Sequence, residues 1–270
     1  MENEQLLLWF ALLAYVAAGC LAIIAHIFHH KIEKTLLLLM VFGLTIHTLS
    51  LAMRWERLGH GPFNTMFEIL SSNIWSLMLF FIIVFWRIPK IRPIASFVLP
   101  GFFIMMAWII MVPANDSILP ATYNTIWLYV HIGFGKIFMG SLMLAAALSF
   151  VILFRWAELW EAFLAVFPPS KNLEELAYRF ILLGLVFDSL MLLAGAIWAQ
   201  EAWGRYWSWD PLETWSFVSW LMLAIVVHLK ITFKLPQAVA ATLAIVTFII
   251  SFLTFFGVPF INQMPHKGVV

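Results

Sequence analysis

Eight apolar stretches occupy most of this chain, and each is long enough to cross a membrane as a helix. They cover residues 5–27, 35–53, 66–86, 93–112, 126–154, 176–199, 214–233 and 236–256. The hydrocarbon core of a bilayer is about 30 Å thick, which a helix of about 20 residues can span. Lipid offers no hydrogen-bond partners, so the backbone of each stretch must form a helix. The sequence therefore predicts an all-α, polytopic membrane protein with about eight transmembrane helices.

The composition excludes several other classes of protein. The chain is 64% hydrophobic and 11% charged, proportions that a soluble domain does not have. A formal net charge of +1 argues against a nucleic-acid partner. The single cysteine, Cys20, lies within the first apolar stretch and excludes a disulfide framework. No linker or internal repeat divides residues 1–270, so one integral membrane domain is predicted.

The basic residues predict the orientation in the membrane. Ten Lys and Arg residues lie in one set of connections: Lys31, Lys34, Arg87, Lys90, Arg92, Arg155, Lys171, Arg179, Lys230 and Lys234. The opposite set contains four: Arg54, Arg57, Arg205 and Lys267. Cytoplasmic loops are enriched in Lys and Arg, so the first set is predicted to be cytoplasmic. Both termini and the loop after the sixth stretch then face outward, into a periplasm or an equivalent compartment.

Residues 198–220, called here the tryptophan segment, hold six of the fourteen tryptophans: Trp198, Trp203, Trp207, Trp209, Trp215 and Trp220. One or two at a helix end are typical of membrane anchoring, and an enlarged aromatic belt is one interpretation. Six, together with Tyr206, favour an aromatic platform for a large flat ligand. If residues 200–209 are helical, Trp203, Tyr206 and Trp207 share one face. Gly204 would let such a ligand approach the backbone.

Within this segment, Asp210-Pro211-Leu212-Glu213 has the pattern of a helix start. Asp is a favoured N-cap, Pro is favoured at the first helical position, and Glu at the third position completes the pattern. Capping alone could account for Asp210 and Glu213, and contact with a ligand is the alternative. Both interpretations stay open at this point.

Two histidines lie on the same predicted side as the tryptophan segment. His131 is near the outer end of the fifth stretch, and His266 follows the eighth. Imidazole is a good iron ligand, and two on opposite faces of a planar macrocycle make a six-coordinate haem. Singly, each could be a hydrogen-bonded interface histidine. Together with the aromatic platform, they favour a pair of metal ligands.

Other histidines and two charges lie within the spans. His228 is in the seventh stretch, and a histidine at membrane depth favours a functional role. For His47 and His26 a polar contact between helices is an equal alternative, whereas His60 is predicted to be solvated in a loop. Lys136 and Asp188 have opposite charge at matching predicted depth, so we expect them to pair.

The motif WGRYWSWDPLETW resembles the WWD motif of haem-handling membrane proteins. Its form WxWDPxETW is similar to the CcsA/ResC branch of system II cytochrome c assembly, and RWERLGHGPFNTMFEIL resembles the segment that opens the third helix there. The similarity extends over about residues 54–266. It implies that haem b lies on the platform and is joined to the CxxCH motif of an apocytochrome c, with a CcsB/ResB-type membrane protein as partner.

The resemblance also implies roles for single residues. Iron would be held by His131 and His266, and a second haem within the membrane by His228. The macrocycle would be held by Trp203, Gly204, Trp207, Trp209 and Asp210, with Trp198, Tyr206, Glu213 and Trp215 completing the binding surface. The chain would then be part of a haem lyase complex, without a nucleophile or general acid of its own. Alternatives are a haem exporter that supplies a chaperone, and a membrane redox protein with His47 and His228 as a haem b pair.

Overall fold

The computed structural model describes residues 2–155, 160–233 and 235–258, and it is built from helices. The helices are α1 (Glu2–Ile27), α2 (Glu33–Leu58), α3 (Met66–Arg87), α4 (Ala95–Met111), α5 (Ile126–Phe154), α6 (Glu161–Leu164), α7 (Ser170–Trp203), α8 (Pro211–Phe233) and α9 (Gln237–Phe252). A 3₁₀ helix, Pro89–Ile94, precedes α4, and a π-helix, Leu253–Gly257, follows α9. Eight of the helical segments are long and apolar enough to cross a membrane, which confirms the predicted fold class.

Some helices extend beyond the apolar stretches identified in the sequence, because polar residues continue the helix. The stretch 35–53 lies within a helix that continues to Leu58, and the stretch 176–199 within one that spans Ser170–Trp203. Both helices end at a glycine in the left-handed region, Gly59 (φ 73°) and Gly204 (φ 76°). Backbone hydrogen bonding therefore extends each helix beyond its apolar part until a residue that tolerates positive φ ends it.

The first compact unit consists of Met1–Leu119 and Leu159–Pro168. Helix α1 packs against α2 and α4, and α3 also packs against α2 and α4, so the four helices form a closed ring. His26 on α1 is buried, with Nδ1 at 2.9 Å from Ser96 Oγ and Nε2 at 2.6 Å from the Phe163 carbonyl. Its role is therefore the polar contact that was one of the two alternatives.

An ion network of Glu4, Arg54, Arg57, Glu68 and Asp116, called here the Arg54 ion network, lies within the first unit. Arg54 contacts Glu4 at 3.0 Å and Glu68 at 2.9 Å, and all three side chains are buried. Arg57 contacts Glu4 and Asp116, and its hydrogen bond lowers the pKa of the Asp116 carboxyl. The network joins α1, α2, α3 and the connection after α4.

His60 is not solvated, so that prediction is wrong. The ring is buried, with Nδ1 at 2.9 Å from the Gly61 carbonyl and Nε2 at 3.0 Å from the Ser117 carbonyl. The sequence placed it in a short loop beside charged residues. The structure folds residues 112–119 over that loop, which removes the imidazole from solvent.

The second compact unit consists of Pro120–Glu158 and Pro169–Val270. Helix α5 packs against α7 and α9, and α8 also packs against α7 and α9, which gives a second ring of four helices. Helices α5 and α7 are antiparallel. A Cβ added at Gly195 would meet His131, one at Gly184 would meet Leu142, and one at Gly135 would meet Met191. These pairs set the register of the helices that hold the candidate site.

The predicted ion pair between Lys136 and Asp188 is wrong. Both carboxylate oxygens of Asp188 are buried and have no hydrogen-bond partner in the part of the chain that the structure describes. Gly135 faces Met191, so Lys136 and Asp188 do lie at similar levels along the two helices. However, successive residues of a helix are rotated by about 100°, which turns position 136 away from the face that packs on α7. Matching depth therefore did not produce a contact.

Candidate functional site

The backbone of the tryptophan segment leaves the helical conformation at Gly204. Helix α7 ends at Trp203, Gly204 N donates to the Gln200 carbonyl at 2.9 Å, and residues 204–210 form a loop before α8. The condition under which Trp203, Tyr206 and Trp207 would share one face, a helix over residues 200–209, is therefore met only up to Trp203. Its positive φ gives Gly204 a structural role as the residue that ends α7.

Trp198 and Trp203 form an aromatic group with Tyr123, which sequence analysis did not select. Trp198 Nε1 donates to the Tyr123 carbonyl at 3.0 Å, and Trp203 Nε1 donates to the Tyr123 hydroxyl at 2.8 Å. The two indole centroids are 5.0 Å apart, and both rings meet the phenol edge to face. This group ties the connection before α5 to the end of α7. Trp198 is buried and packs beneath the surface of the candidate site, whereas Trp203 is half-buried.

His131 is held in one orientation beside this group. Its Nδ1 lies 2.8 Å from the Met191 carbonyl, and its ring is nearly parallel to Trp198, with 12° between the planes. A carbonyl can only accept a hydrogen bond, so Nδ1 carries the proton and donates. In the neutral form of such a ring the lone pair is on Nε2, which is the atom that a metal ion requires. The geometry therefore suits His131 as a metal ligand.

Gly195 makes the room for that ring. A Cβ at this position would lie 2.7 Å from His131 Nδ1 and 2.9 Å from Cε1. We expect Gly195→Ala to displace the imidazole and lower the free energy of unfolding by about 1–3 kcal/mol, because the packed site cannot accept the methyl group. Chemical unfolding of the purified variant measures this. The matched control is Gly133→Ala on α5, where nothing lies within 4 Å, and which should be neutral or stabilising. Equal stability of the two variants would contradict the prediction.

The start of α8 confirms the predicted cap. Pro211 is the first helical residue, and Glu213 N donates to Asp210 Oδ1 at 2.8 Å. The Glu213 carboxylate accepts from Ser208 N at 2.7 Å and from Ser208 Oγ at 3.2 Å. Asp210 and Glu213 therefore stabilise the loop and the helix start. Contact between either carboxylate and a ligand stays a prediction.

The loop between α7 and α8 carries a second group of aromatic residues. Trp207 and Trp209 meet edge to face at 5.7 Å, and Trp209 also meets Phe217 on α8 at 6.2 Å. Trp209 has φ 59°, a conformation that is an outlier for a bulky side chain and costs about 1–3 kcal/mol. It is 66% exposed, and Tyr206 and Trp215 are exposed as well. The loop thus presents aromatic surface outward at the expense of local strain.

His228 lies on the exposed face of α8. Helix α8 buries only Ser219, Leu223 and Val226, and the opposite face carries Leu221, Ile225 and His228. The position is roughly 26 Å along the helix from Pro211, by the rise of an α-helix. An imidazole on an apolar, membrane-facing surface is costly, and this favours a ligand or partner at that face.

His47 does not offer a nitrogen to a metal. The residue is fully buried between α2, α1 and α3, with Nε2 at 3.0 Å from Ser71 Oγ and Nδ1 at 3.4 Å from the Tyr15 hydroxyl. His47 therefore makes a polar contact between helices, which was one of its two interpretations from the sequence. This argues against a haem b pair of His47 and His228. His266, the second predicted outer ligand, lies outside the described residues.

Sequence comparisons place the chain among proteins of cytochrome c maturation. Residues 31–266 match the family described as cytochrome C assembly protein. The chain is 30% identical to the cytochrome c biogenesis protein CcsA of Chlamydomonas reinhardtii, over 81% of this chain and 64% of the algal protein. It is 28% identical to CcsA of Prochlorococcus marinus strain AS9601, over 89% and 86% of the two chains. CcsA of Nicotiana tomentosiformis is 32% identical, over 80% of each.

A solved structure shares the fold. The chain is similar to the cytochrome c heme lyase CcmF, with a TM-score of 0.69 and 17% sequence identity. The similarity covers 94% of this chain and 46% of CcmF, so the chain spans less than half of that protein.

Proposed function

This chain belongs to the cytochrome c assembly protein family and is of the CcsA type, and on that premise we propose that it presents haem b for attachment to an apocytochrome c. It is an integral membrane protein with a role in cytochrome c maturation. The proposed site comprises the outer ends of α5 and α7, the loop 204–210 and the start of α8. The observation that carries the proposal is the fixed orientation of His131, whose Nδ1 lies 2.8 Å from the Met191 carbonyl and whose ring lies parallel to Trp198 beside the aromatic residues.

The proposed ligand set follows the family resemblance and the geometry together. His131 and His266 would be the axial ligands of the outer haem, which is the protein's cargo. Trp203, Trp207 and Trp209 would contact the macrocycle, with Tyr206 and Trp215 as exposed neighbours. Three residues would act by positioning. The hydrogen bond of Trp198 fixes Tyr123, and those of Asp210 and Glu213 fix the loop 204–210 and the start of α8. We propose that both compact units act as one haem-handling domain.

The chemistry assigned to the chain is positioning. Addition of a cysteine thiol across a vinyl group of haem breaks the S–H bond and the vinyl π bond, forms one carbon–sulfur and one carbon–hydrogen bond, and needs no further reactant. What the protein supplies is therefore proximity, orientation and control of the iron ligands. The apocytochrome provides the thiols, and a CcsB/ResB-type membrane protein is the proposed partner. With ten basic residues in the loops assigned to the cytoplasm against four, the tryptophan segment and both termini would face outward.

The test of this function is reconstitution of cytochrome c assembly in cells. The chain is co-expressed with a ResB-type partner and an apocytochrome c, in a host whose own assembly genes are deleted. We expect covalently bound haem in the cytochrome and a haem absorption band in the purified chain. Omitting the chain is the control. A purified chain without haem absorption, together with no cytochrome product, would contradict the proposal.

His228 is proposed to bind a second haem within the membrane, with its other iron ligand supplied by the partner. Replacing His228 by Ala should lower the cytochrome c yield by at least about tenfold, since even loss of a supporting residue near a metal costs that much. The matched control is Thr232→Ala, four residues further along the same exposed face. Haem content and cytochrome yield are measured in the co-expression system. A His228→Ala variant equal to the control would show that the imidazole has no role in haem supply.

A further inference from the structure

Two buried N–H groups in the loop 204–210 lack an acceptor. They are Nε of Arg205 and Nε1 of Trp207, and neither has a hydrogen-bond partner among the residues that the structure describes. Buried N–H groups are almost always paired in native proteins, because an unpaired one costs about 1–3 kcal/mol. Two such donors, separated by one residue in a loop of seven, indicate that an acceptor from outside this loop belongs there.

The carboxylates of the same region are engaged elsewhere. Glu213 accepts two hydrogen bonds from Ser208, and Asp210 accepts from the Glu213 amide. Arg205 forms no ion pair with any residue in the described ranges, although five other basic residues do: Arg54, Arg57, Arg92, Arg179 and Lys230. The Arg205 guanidinium therefore has no ion-pair partner in the described part of this loop, which also exposes the rings of Tyr206 and Trp209.

We infer that Arg205 and Trp207 bind a carboxylate at the edge of the flat ligand, namely a propionate of haem. This rests on the proposed function. Both groups can only donate hydrogen bonds, so the missing partner must be an acceptor. A guanidinium matches a carboxylate in charge and in planar geometry, and burial strengthens a charge-assisted hydrogen bond. Arg205 and Trp207 would thus fix the rotation of the macrocycle, whereas the histidines hold its iron.

The test compares iron protoporphyrin IX with its dimethyl ester, in which both carboxylates are blocked. Binding to purified wild type, Arg205→Met and Trp207→Phe is followed by absorption titration in a neutral detergent. In the wild type, esterification should weaken binding by about 10- to 100-fold, the range of a hydrogen bond to a charged group. Arg205→Met should weaken binding of the unesterified porphyrin to a similar extent. In this variant, esterification should lower the affinity further by less than about threefold. Trp207→Phe, which keeps a ring without the N–H, should weaken binding of the acid by about 3- to 10-fold.

Two further variants sharpen the assignment. Arg205→Lys keeps the charge and loses the planar fork, so its affinity should be intermediate between wild type and Arg205→Met. Arg179→Met removes one exposed positive charge from α7 and should bind both porphyrins as the wild type does.

The remaining outcomes each overturn the inference for a different reason. If esterification weakens binding to Arg205→Met as much as it weakens binding to the wild type, other groups bind the carboxylates. If added anionic phospholipid abolishes the difference between wild type and Arg205→Met, the donors bind a lipid phosphate instead. If the wild type binds neither porphyrin, the proposed function fails, and this inference fails with it.

Discussion

Replacing His131 by Gly is expected to lower the affinity of the purified protein for haem by about 10- to 100-fold, and added imidazole is expected to restore the spectrum. The ring is held by the Met191 carbonyl, 2.8 Å from Nδ1, and Nε2 is the ligand atom proposed here. Mutations that disturb even the supporting partners of a metal ligand cost this much, so loss of the ligand itself should cost no less. Glycine leaves space in which imidazole from solution can replace the side chain.

The measurement is an absorption titration with haem, with and without imidazole. His30→Gly, in the exposed connection after α1, is the control and should keep the wild-type spectrum. His131→Phe adds a second comparison, because it fills the same space with a ring that cannot bind iron and cannot be rescued. Wild-type affinity in His131→Gly, or rescue of the Phe variant by imidazole, would show that His131 is not an iron ligand.

Replacing Glu68 by Ala is expected to lower the free energy of unfolding by about 3–5 kcal/mol. The carboxylate is fully buried and accepts from Arg54 Nε at 3.1 Å and Nη2 at 2.9 Å, from Ser117 Oγ at 3.0 Å and from Thr65 N at 3.2 Å. Its removal leaves the buried Arg54 guanidinium with one carboxylate partner, Glu4, and takes away the acceptor of its Nε. It also breaks the capping box of α3, in which the Thr65 side chain accepts from Glu68 N.

Chemical unfolding in mixed micelles measures the change, with Glu56→Ala on the exposed side of α2 as control. The control should change stability by no more than about 0.5 kcal/mol. Arg54→Ala should be similarly damaging, whereas the double variant should lose less than the sum of the two single losses, because no unpaired charge is left behind. Strictly additive losses would show that Arg54 and Glu68 are not coupled, and a Glu68→Ala loss equal to the control would show that the Arg54 ion network does not stabilise the fold.

Local chemistry predicted more of the site than periodicity did. The Asp210-Pro211-Leu212-Glu213 pattern identified the start of α8 because a cap acts over four consecutive residues. A shared face of Trp203, Tyr206 and Trp207 requires a helix over residues 200–209, and the helix stops earlier because Gly204 ends α7 in the left-handed region. A glycine seven residues before a helix start was a usable signal for that end. No comparable signal marked Tyr123, which reaches Trp198 and Trp203 only because the chain returns to the end of α7.

Buried polar groups were the hardest to assign. His60 and Arg54 of the Arg54 ion network are covered by residues 112–119, through contacts that join residues 57 and 61 positions apart in the chain. Lys136 and Asp188 were correctly placed at similar levels, but not in contact. Depth in a membrane follows from counting residues along a helix, whereas contact depends on the rotation of each helix about its axis.

The sequence by itself determined that this is a helical membrane protein with eight spans, because lipid forces every apolar stretch of that length into a helix. It also determined the aromatic character of the loop before α8 and the family, through the motif in residues 203–215. Only the tertiary structure decided which histidines are engaged in packing. His26, His47 and His60 have hydrogen-bond partners on segments distant in sequence, whereas His228 lies on an exposed face. Whether an imidazole nitrogen forms a hydrogen bond inside the protein depends on which groups the packed helices place next to it. The hydrophobicity of a span does not determine that placement.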